Sequence, residues 1–408
     1  MIFNTWEFAA FAVATYVLYW FAVPARWRPY LLMVAGVVFY AASIPVYLLL
    51  VLALAAVSYL DGIALLAVPL EQTTRRRWIL AAGILASVGV LVFFKYSKLF
   101  ASTFDGVCRG GCVHFLPDIV VPLAISFFTF EFVHVLVDIY LGKVRALPLR
   151  DFALFTLFFP TMVAGPIKRY QNFAPQIDAV RTFESLAFAA GTYRIVMGLA
   201  KKVVIADSMT PFVAPLLAPG ALYGPGDYWA GVLAYTVKIY FDFSGYSDIA
   251  IGVASLLGYD ILENFDRPYR ARNISQFWRR WHMSLSSWIR DYLFIPLGGS
   301  RRPGLTLVNL GIVMAISGLW HGAAWHFVVW GLWHGFGMAV HRVWGQVVVP
   351  RAPALAHGPF WRGASVATTF AFVALGWVFF ASPTIATAMT VFANLAGRNF
   401  VAAAGAPL

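Results

Sequence analysis

Apolar runs long enough to cross a lipid bilayer recur along the 408-residue chain, among them residues 5–23, 78–94, 119–140 and 364–381. A run of about 20 apolar residues spans the hydrocarbon core as a helix, which satisfies its own backbone where no water can. The composition agrees, with 61% hydrophobic and 12% charged residues and a mean hydropathy of +0.75. A soluble domain carries about 25% charged residues, so this chain has too little polar surface to face water. It reads as an all-α polytopic membrane protein. Many helices sharing one lateral packing surface predict a single domain over residues 1–408. The opening MIFNTWEF lacks a basic region, and no small-residue cleavage pattern precedes Pro24, so the first run reads as a span rather than a signal peptide.

The net charge of +12 would suit nucleic acid, but its placement argues against that partner. Basic residues lie in short segments between apolar runs: Arg26 and Arg28, Arg75 to Arg77, Lys143 to Arg150, Lys168 and Arg169, and residues 267–302. Cytoplasmic loops are enriched in this way, and anionic lipids of that leaflet attract them. With the N-terminus outside the cytoplasm, about ten crossings bring every strongly basic loop to the cytoplasmic side.

Three stretches fit that path less simply. Spans near 29–42 and 46–60 are short and divided by Ile44 and Pro45, which predicts tilted or partly re-entrant helices. Residues 152–165 lead into Pro160, Gly165 and Pro166, which break a helix at a depth tolerated only beside protein or a cavity. The span near 183–205 carries Arg194, Lys201 and Lys202, expected to face the interior or a wet space. Cys108 and Cys112, in CRGGC on the outer side, form an intraloop disulfide or remain thiols; a metal site with His114 is less expected.

Residues 263–302 read ENFDRPYRARNISQFWRRWHMSLSSWIRDYLFIPLGGSRR. Asn273 followed by Gln276 offers a helix start, and Pro296 with Gly298 and Gly299 a stop. One interfacial helix between them puts Trp278, His282, Leu285 and Ile289 on one face. Trp281 and Trp288 lie at its margin, with Arg279, Arg280, Arg290 and Asp291 opposite. His282 is then a buried histidine bonded to backbone or a functional one. The arginines are positive-side anchors or attract an anionic donor.

Residues 317–335, SGLWHGAAWHFVVWGLWHG, hold His321, His326 and His334 among four tryptophans and no charge. An imidazole in hydrocarbon needs a cavity or a polar partner. His321, between Gly318 and Gly322, suits a general base toward an acceptor hydroxyl, since a neutral imidazole accepts a proton near neutrality. His326, His334 and His341 stand 8 and 7 residues apart. They could form a metal site, a proton path or a row of interhelical hydrogen bonds. No carboxylate or cysteine is interspersed and no HExxH occurs, so a metal is the least expected. No phosphate-binding GxxxxGK[ST], GxGxxG or GxSxG motif is present. Asp242 and Ser244, in FDFSGYSD, line a substrate path or join helices by hydrogen bonds.

Five stretches in series resemble the membrane-bound O-acyltransferase family, in particular its bacterial branch that modifies alginate and teichoic acid. They are residues 121–144 (VPLAISFFTFEFVHVLVDIYLGKV), 158–173 (FFPTMVAGPIKRYQNF), 239–301, 318–335 and 375–389 (LGWVFFASPTIATAM), covering most of 90–390. The resemblance implies about ten transmembrane helices, with re-entrant and interfacial ones, around a central tunnel. It implies two characteristic histidines, His321 as principal catalytic residue and His282 as the second, and gives His326, His334 and His341 no chemical role. Trp278, Arg279, Arg280, Trp281, Asp242, Ser244 and Trp320 become donor-site or tunnel candidates. The implied reaction carries an acyl group, acetyl above all, from a cytosolic thioester of coenzyme A or acyl carrier protein across the inner membrane. The acceptor is a hydroxyl of an envelope polysaccharide or of a periplasmic esterase-like partner transferase. No tightly bound cofactor or metal is implied. Relatives often carry a further C-terminal span after the last motif, which this sequence lacks. The competing reading is a transporter or scaffold of the same build. It is weakened because no paired broken helices in repeated halves are evident. A glycosyltransferase would need more acidic residues than the 18 present.

Overall fold

Buried backbone amides need partners within their own segment wherever lipid surrounds the chain, and the described residues meet that demand with helices and no strand. The computed structural model describes residues 3–107, 119–163, 165–179, 182–220, 222–352 and 358–398. Cys108, Cys112 and His114 fall outside them.

The chain divides into two compact units, residues up to Leu199 with Gly245–Glu263, and Ala200–Ser244 with the residues from Asn264 onward. In chain order, the helices before the first division are α1 (Trp6–Val17), α2 (Arg28–Ala41), α3 (Pro45–Ala67), α4 (Thr73–Leu91), α5 (Ser97–Val107), α6 (Ile125–Tyr140), α7 (Leu149–Leu157), the one-turn α8 (Tyr170–Phe173) and α9 (Ser185–Leu199). There follow the one-turn α10 (Ala214–Leu217) and the 32-residue α11 (Pro225–Leu256), which passes from one unit into the other. The second unit continues with α12 (Ile274–Trp278), α13 (Met283–Ile289), α14 (Pro303–His321), α15 (Trp325–Val347), α16 (Pro359–Ala381) and α17 (Ile385–Leu395).

Four runs among the described residues are long and apolar enough to cross a bilayer: Pro45–Ala67, Thr73–Gly106, Gly304–His321 and Pro359–Ala381. The others take varied forms. The run at 5–23 is α1 followed by a wide π-turn at Leu18–Ala22, and α2 has 14 residues. Residues 46–60, expected to be short, belong to a 23-residue helix, because Pro45 opens it and the apolar run continues through Asp61 to Ala67. The helix expected to end near Phe94 continues through a π-turn at Val92–Tyr96 into α5. Lys95, at that turn, reaches Ser126 Oγ at 3.1 Å instead of ending the span.

In the first unit one guanidinium closes two helix ends. Arg76, 3% exposed, donates through Nη1 to the carbonyls of Leu65 (2.6 Å) and Val68 (2.7 Å). Through Nη2 it donates to those of Ile139 (2.8 Å) and Tyr140 (3.2 Å). The last carbonyls of a helix have no intrahelical partner and carry partial negative charge, so a cation there satisfies both α3 and α6. Past α6 the chain turns at Gly142, whose φ of 73° favours a residue without Cβ. Lys143 N–H donates to Asp138 O and Gly142 N–H to Ile139 O, completing a Schellman turn.

Glu131, His134 and Asp138 share one face of α6 at helical spacing and hold the chain at 168–171. Lys168 Nζ pairs with Glu131 Oε1 at 2.6 Å, both side chains buried. Tyr170 N–H donates to His134 Nε2 at 3.1 Å, and Gln171 donates to Asp138 Oδ2. Two of the five motif stretches are thus one polar seam. Arg194, expected to look inward, pairs with Asp248 (3.0 Å) and Glu263 (2.5 Å).

Candidate active site

The candidate site is built on α11 to α16 of the second unit. Asn273 caps α12 as its sequence predicts, its Oδ1 accepting from Gln276 N–H at 2.8 Å. The single helix expected from there to Pro296 does not form. It stops at Trp278 and resumes at Met283, with His282 between at φ 45° and ψ 54°. The left-handed region is uncommon for any residue with a Cβ and marks local strain. What holds it is Asn264, distant in sequence. The Asn264 carbonyl accepts from Met283 N–H (2.9 Å), and Asp266 N–H donates to Arg280 O (3.0 Å). The Asn264 side-chain oxygen accepts from Ser284 N–H (3.3 Å) and Ser284 Oγ (2.9 Å). A remote residue therefore supplies the cap that α13 lacks locally. Trp278, His282, Leu285 and Ile289 are all buried, at 7, 0, 0 and 8% exposure, although a broken helix rather than one apolar face puts them there.

Asn264 Oδ1 also lies 3.1 Å from His282 Nδ1. Because Ser284 N–H can only donate, the atom it meets is the amide oxygen, so His282 Nδ1 must carry the proton. The neutral ring then presents Nε2 as a lone pair, and that atom is buried with no hydrogen-bond partner among the described residues. His282 lies outside the helices of membrane-crossing length. Burial, with His321 within electrostatic reach, holds its imidazole well below the ordinary histidine range, so it is neutral near pH 7.

Around this ring the aromatic side chains close in. Phe243 meets His282 edge to face at 4.7 Å between centroids, and Trp320 lies at 5.8 Å. His321, at the end of α14, is half-buried and packs against Trp330 (5.1 Å) and Phe380 (5.2 Å). His334 lies 4.9 Å from Trp330 and 5.1 Å from Trp278. It is fully buried, with neither ring nitrogen partnered among the described residues. His326 is different: its Nδ1 donates to the Phe379 carbonyl at 2.9 Å. Trp281 stacks on Phe277 and meets Trp377.

A cavity of about 700 Å³ adjoins the cluster, with Arg279, Arg290, Arg342, Trp278, Met283 and Met338 among its lining. From α14 it is lined by Thr306, Leu310, Val313, Met314 and Ser317, one stripe at three- and four-residue spacing. The next position on that stripe is His321. Ser317 Oγ is buried and unpartnered among the described residues. Arg290 opens a π-turn, Arg290–Phe294, of the kind often found at functional sites.

Of the sequence-derived candidates, the structure brings His282, His321, Trp278, Trp281 and Trp320 into one cluster, with Arg279 on the adjoining cavity. Arg280 turns elsewhere, 3.9 Å from Asp266, in a recess with Arg267, Arg270 and Arg272. Asp242 pairs with Lys202 at 2.6 Å, and Ser244 is buried beside Phe243 without a partner among the described residues. Asn264 and His334 were not singled out for the site by the sequence. Asn264 had no local signal, and His334 had the same apolar flanks as His326.

Histidines in an aromatic cluster beside an arginine-lined cavity, in a polytopic membrane protein, match a known class. A family model for the membrane-bound O-acyltransferases matches residues 79–377, and the chain belongs to that family. It is a multi-pass membrane enzyme, an O-acyltransferase of the O-acetyltransferase kind. The chain is 37% identical over 401 residues to a probable alginate O-acetylase of Azotobacter vinelandii, covering 97% of this chain and 78% of that protein. It is 34% identical over 358 residues to a peptidoglycan O-acetyltransferase of Helicobacter pylori, with 80% and 66% covered. To a teichoic acid D-alanyltransferase of Streptococcus thermophilus it is 32% identical over 236 residues, with 54% and 57% covered.

Proposed function

We propose that this enzyme takes an acetyl group from a cytosolic thioester and passes it across the inner membrane to a hydroxyl of an extracytoplasmic polysaccharide. The relay includes, where needed, a periplasmic esterase-like transferase. The donor is coenzyme A or acyl carrier protein, both bearing the pantetheine thioester on a phosphate that the cavity arginines suit. The N-terminus lies outside the cytoplasm. The carrying observation is the α14 stripe from Thr306 to Ser317, which lines the cavity and has His321 as its next position. Eleven residues at 1.5 Å each make the stripe about 16 Å long, a reach suited to an extended pantetheine arm.

In this reading His321 takes the proton of the acceptor hydroxyl, whose oxygen attacks the thioester carbonyl carbon. The carbon–sulfur bond breaks, the thiolate leaves and recovers the proton, and an O-acetyl ester and a free thiol result. All atoms come from the two substrates, so no resident cofactor is required. Trp320 and Trp330 wall the reacting centre, and His282 Nε2 offers a second lone pair in the same cluster. Trp278 and Arg279 serve the donor, whereas Arg280, Asp242 and Ser244 have lesser claims to contact it.

The test compares polysaccharide ester content in cells carrying wild type or His321→Ala at matched membrane levels. The expected loss is about 100-fold or more, the usual contribution of a general base. Unchanged ester content with reduced polymer export would replace this reading with the transporter.

A further inference from the structure

His282 needs its proton on one particular nitrogen if it is to offer a lone pair to the cluster, and a histidine ring alone does not choose. The choice is made by what the other nitrogen meets. Asn264 Oδ1 collects three donors, Ser284 N–H, Ser284 Oγ–H and His282 Nδ1, at 3.3, 2.9 and 3.1 Å. The two from Ser284 forbid the flipped amide, since an NH2 group facing a backbone N–H would place donor against donor. Asn264 is 0% exposed, which keeps bulk solvent from the oxygen. The Asn264 main-chain carbonyl, bonded to Met283 N–H, holds the backbone on the other side of the ring in the left-handed turn that aims it.

We propose that Asn264 is a positioning residue for acyl transfer: it locks His282 as the Nδ1–H tautomer and aims the Nε2 lone pair into the histidine–tryptophan cluster. Asn264 touches neither reacting group and acts only through His282. The arrangement has the logic of a carboxylate behind a catalytic histidine, but with a neutral amide. A neutral partner fixes the tautomer without stabilising the imidazolium, so His282 stays an acceptor rather than becoming a cation. Facing the ring among the described residues are Phe243 from α11, Trp320 from α14 and one titratable group, His321.

The kinetic arm rests on the acyl-transfer reading and the spectroscopic arm does not. In full-length protein carrying 15N-histidine, subtraction of the His282→Asn spectrum isolates one of the eight imidazoles. Asparagine tolerates the left-handed backbone at that position. At pH 7 the isolated signal should be the neutral Nδ1–H tautomer, and Asn264→Leu should abolish that preference. Asn264→Asp keeps the shape and the acceptor but adds a charge. Its isolated His282 signal should titrate about 1–3 units above that of wild type, because an opposite charge at this range raises a histidine pKa, and the acid limb of kcat/KM should follow once that ring is the last to lose its proton. Ser284→Ala, which shares Asn264 but not the imidazole, should keep the wild-type limb. An Nε2–H tautomer, or an Asn264→Asp titration superimposed on wild type, would overturn the proposal. An Nδ1–H signal in a protein with no acyl transfer would leave the tautomer lock standing and sink the function assigned above.

Discussion

At the scale of single residues, the side chains that organise this protein bind across long stretches of sequence. Arg76 is the clearest case. Its planar fork meets four carbonyls from two helices, a geometry that a lysine ammonium cannot reproduce. Arg76→Lys should therefore cost about 3 kcal/mol, the scale for losing buried charged hydrogen bonds, read as a lowered midpoint of thermal unfolding in detergent. If the midpoint stays where it is in wild type, the clamp is not holding the helices. The sequence shows Arg76 only as the middle of three arginines, and nothing local separates it from its exposed neighbours Arg75 and Arg77. The cap at Asn273 was legible because both partners lie within three residues. Asn264 and His282 are 18 apart, so their pairing was not.

At the scale of elements, hydrophobic periodicity located the longer helices but not the short α5, α8, α10 and α17, nor the breaks within helices. The apolar stripe of residues 274–289 continues through His282, so the pattern alone could not reveal a left-handed residue whose amides are capped from elsewhere. α14 and α15 show a related limit. They touch backbone to backbone: a Cβ on Gly318 would lie 2.0 Å from the Phe327 carbonyl oxygen, and one on Gly331 2.0 Å from that of Met314. Small residues permit such close approach, and a methyl group forces the helices apart. Because His321 follows Gly318 by three residues and Trp330 precedes Gly331, the displacement is felt at the site. Gly318→Ala and Gly331→Ala should each lower kcat by about 10-fold or more even where the protein inserts normally, since an ångström of misplacement can cost about 100-fold. Steady-state transfer at saturating donor gives the comparison; an unchanged kcat would show that the pair tolerates separation. Residues 318–335 carry one stretch of the family resemblance, and this contact joins the two helices it spans.

At the scale of the whole molecule, composition pointed to the membrane class, and the basic loops are the ground for the orientation we propose. Four crossing helices stand out by length and apolarity among the described residues. Bent or polar-studded helices such as α1, α9 and α15 are where counting from sequence is least secure, because a π-turn after α1, the Arg194 ion pairs of α9 and the buried histidines of α15 interrupt the apolar runs. The arginines of the cavity have a meaning that positive-side bias alone does not give them. If Arg279 and Arg342 hold donor phosphate, replacing both with alanine should raise KM for the donor by about 10-fold or more with little change in kcat. It should also flatten the dependence of KM on salt. Titrating donor at two ionic strengths decides the matter: a fall in kcat alone would make them structural.

The Arg76 clamp also orders the events of synthesis. Its first two carbonyls, at Leu65 and Val68, have already left the ribosome when Arg76 emerges. The other two, at Ile139 and Tyr140, are made 63 and 64 residues later. At ordinary elongation rates that interval lasts roughly 3–13 s. For those seconds the guanidinium has only two of its four carbonyl partners, while the chain through α5 and α6 is still being made. The second basic cluster of the nascent chain thus serves as a latch left open, and the arrival of the end of α6 is what shuts it.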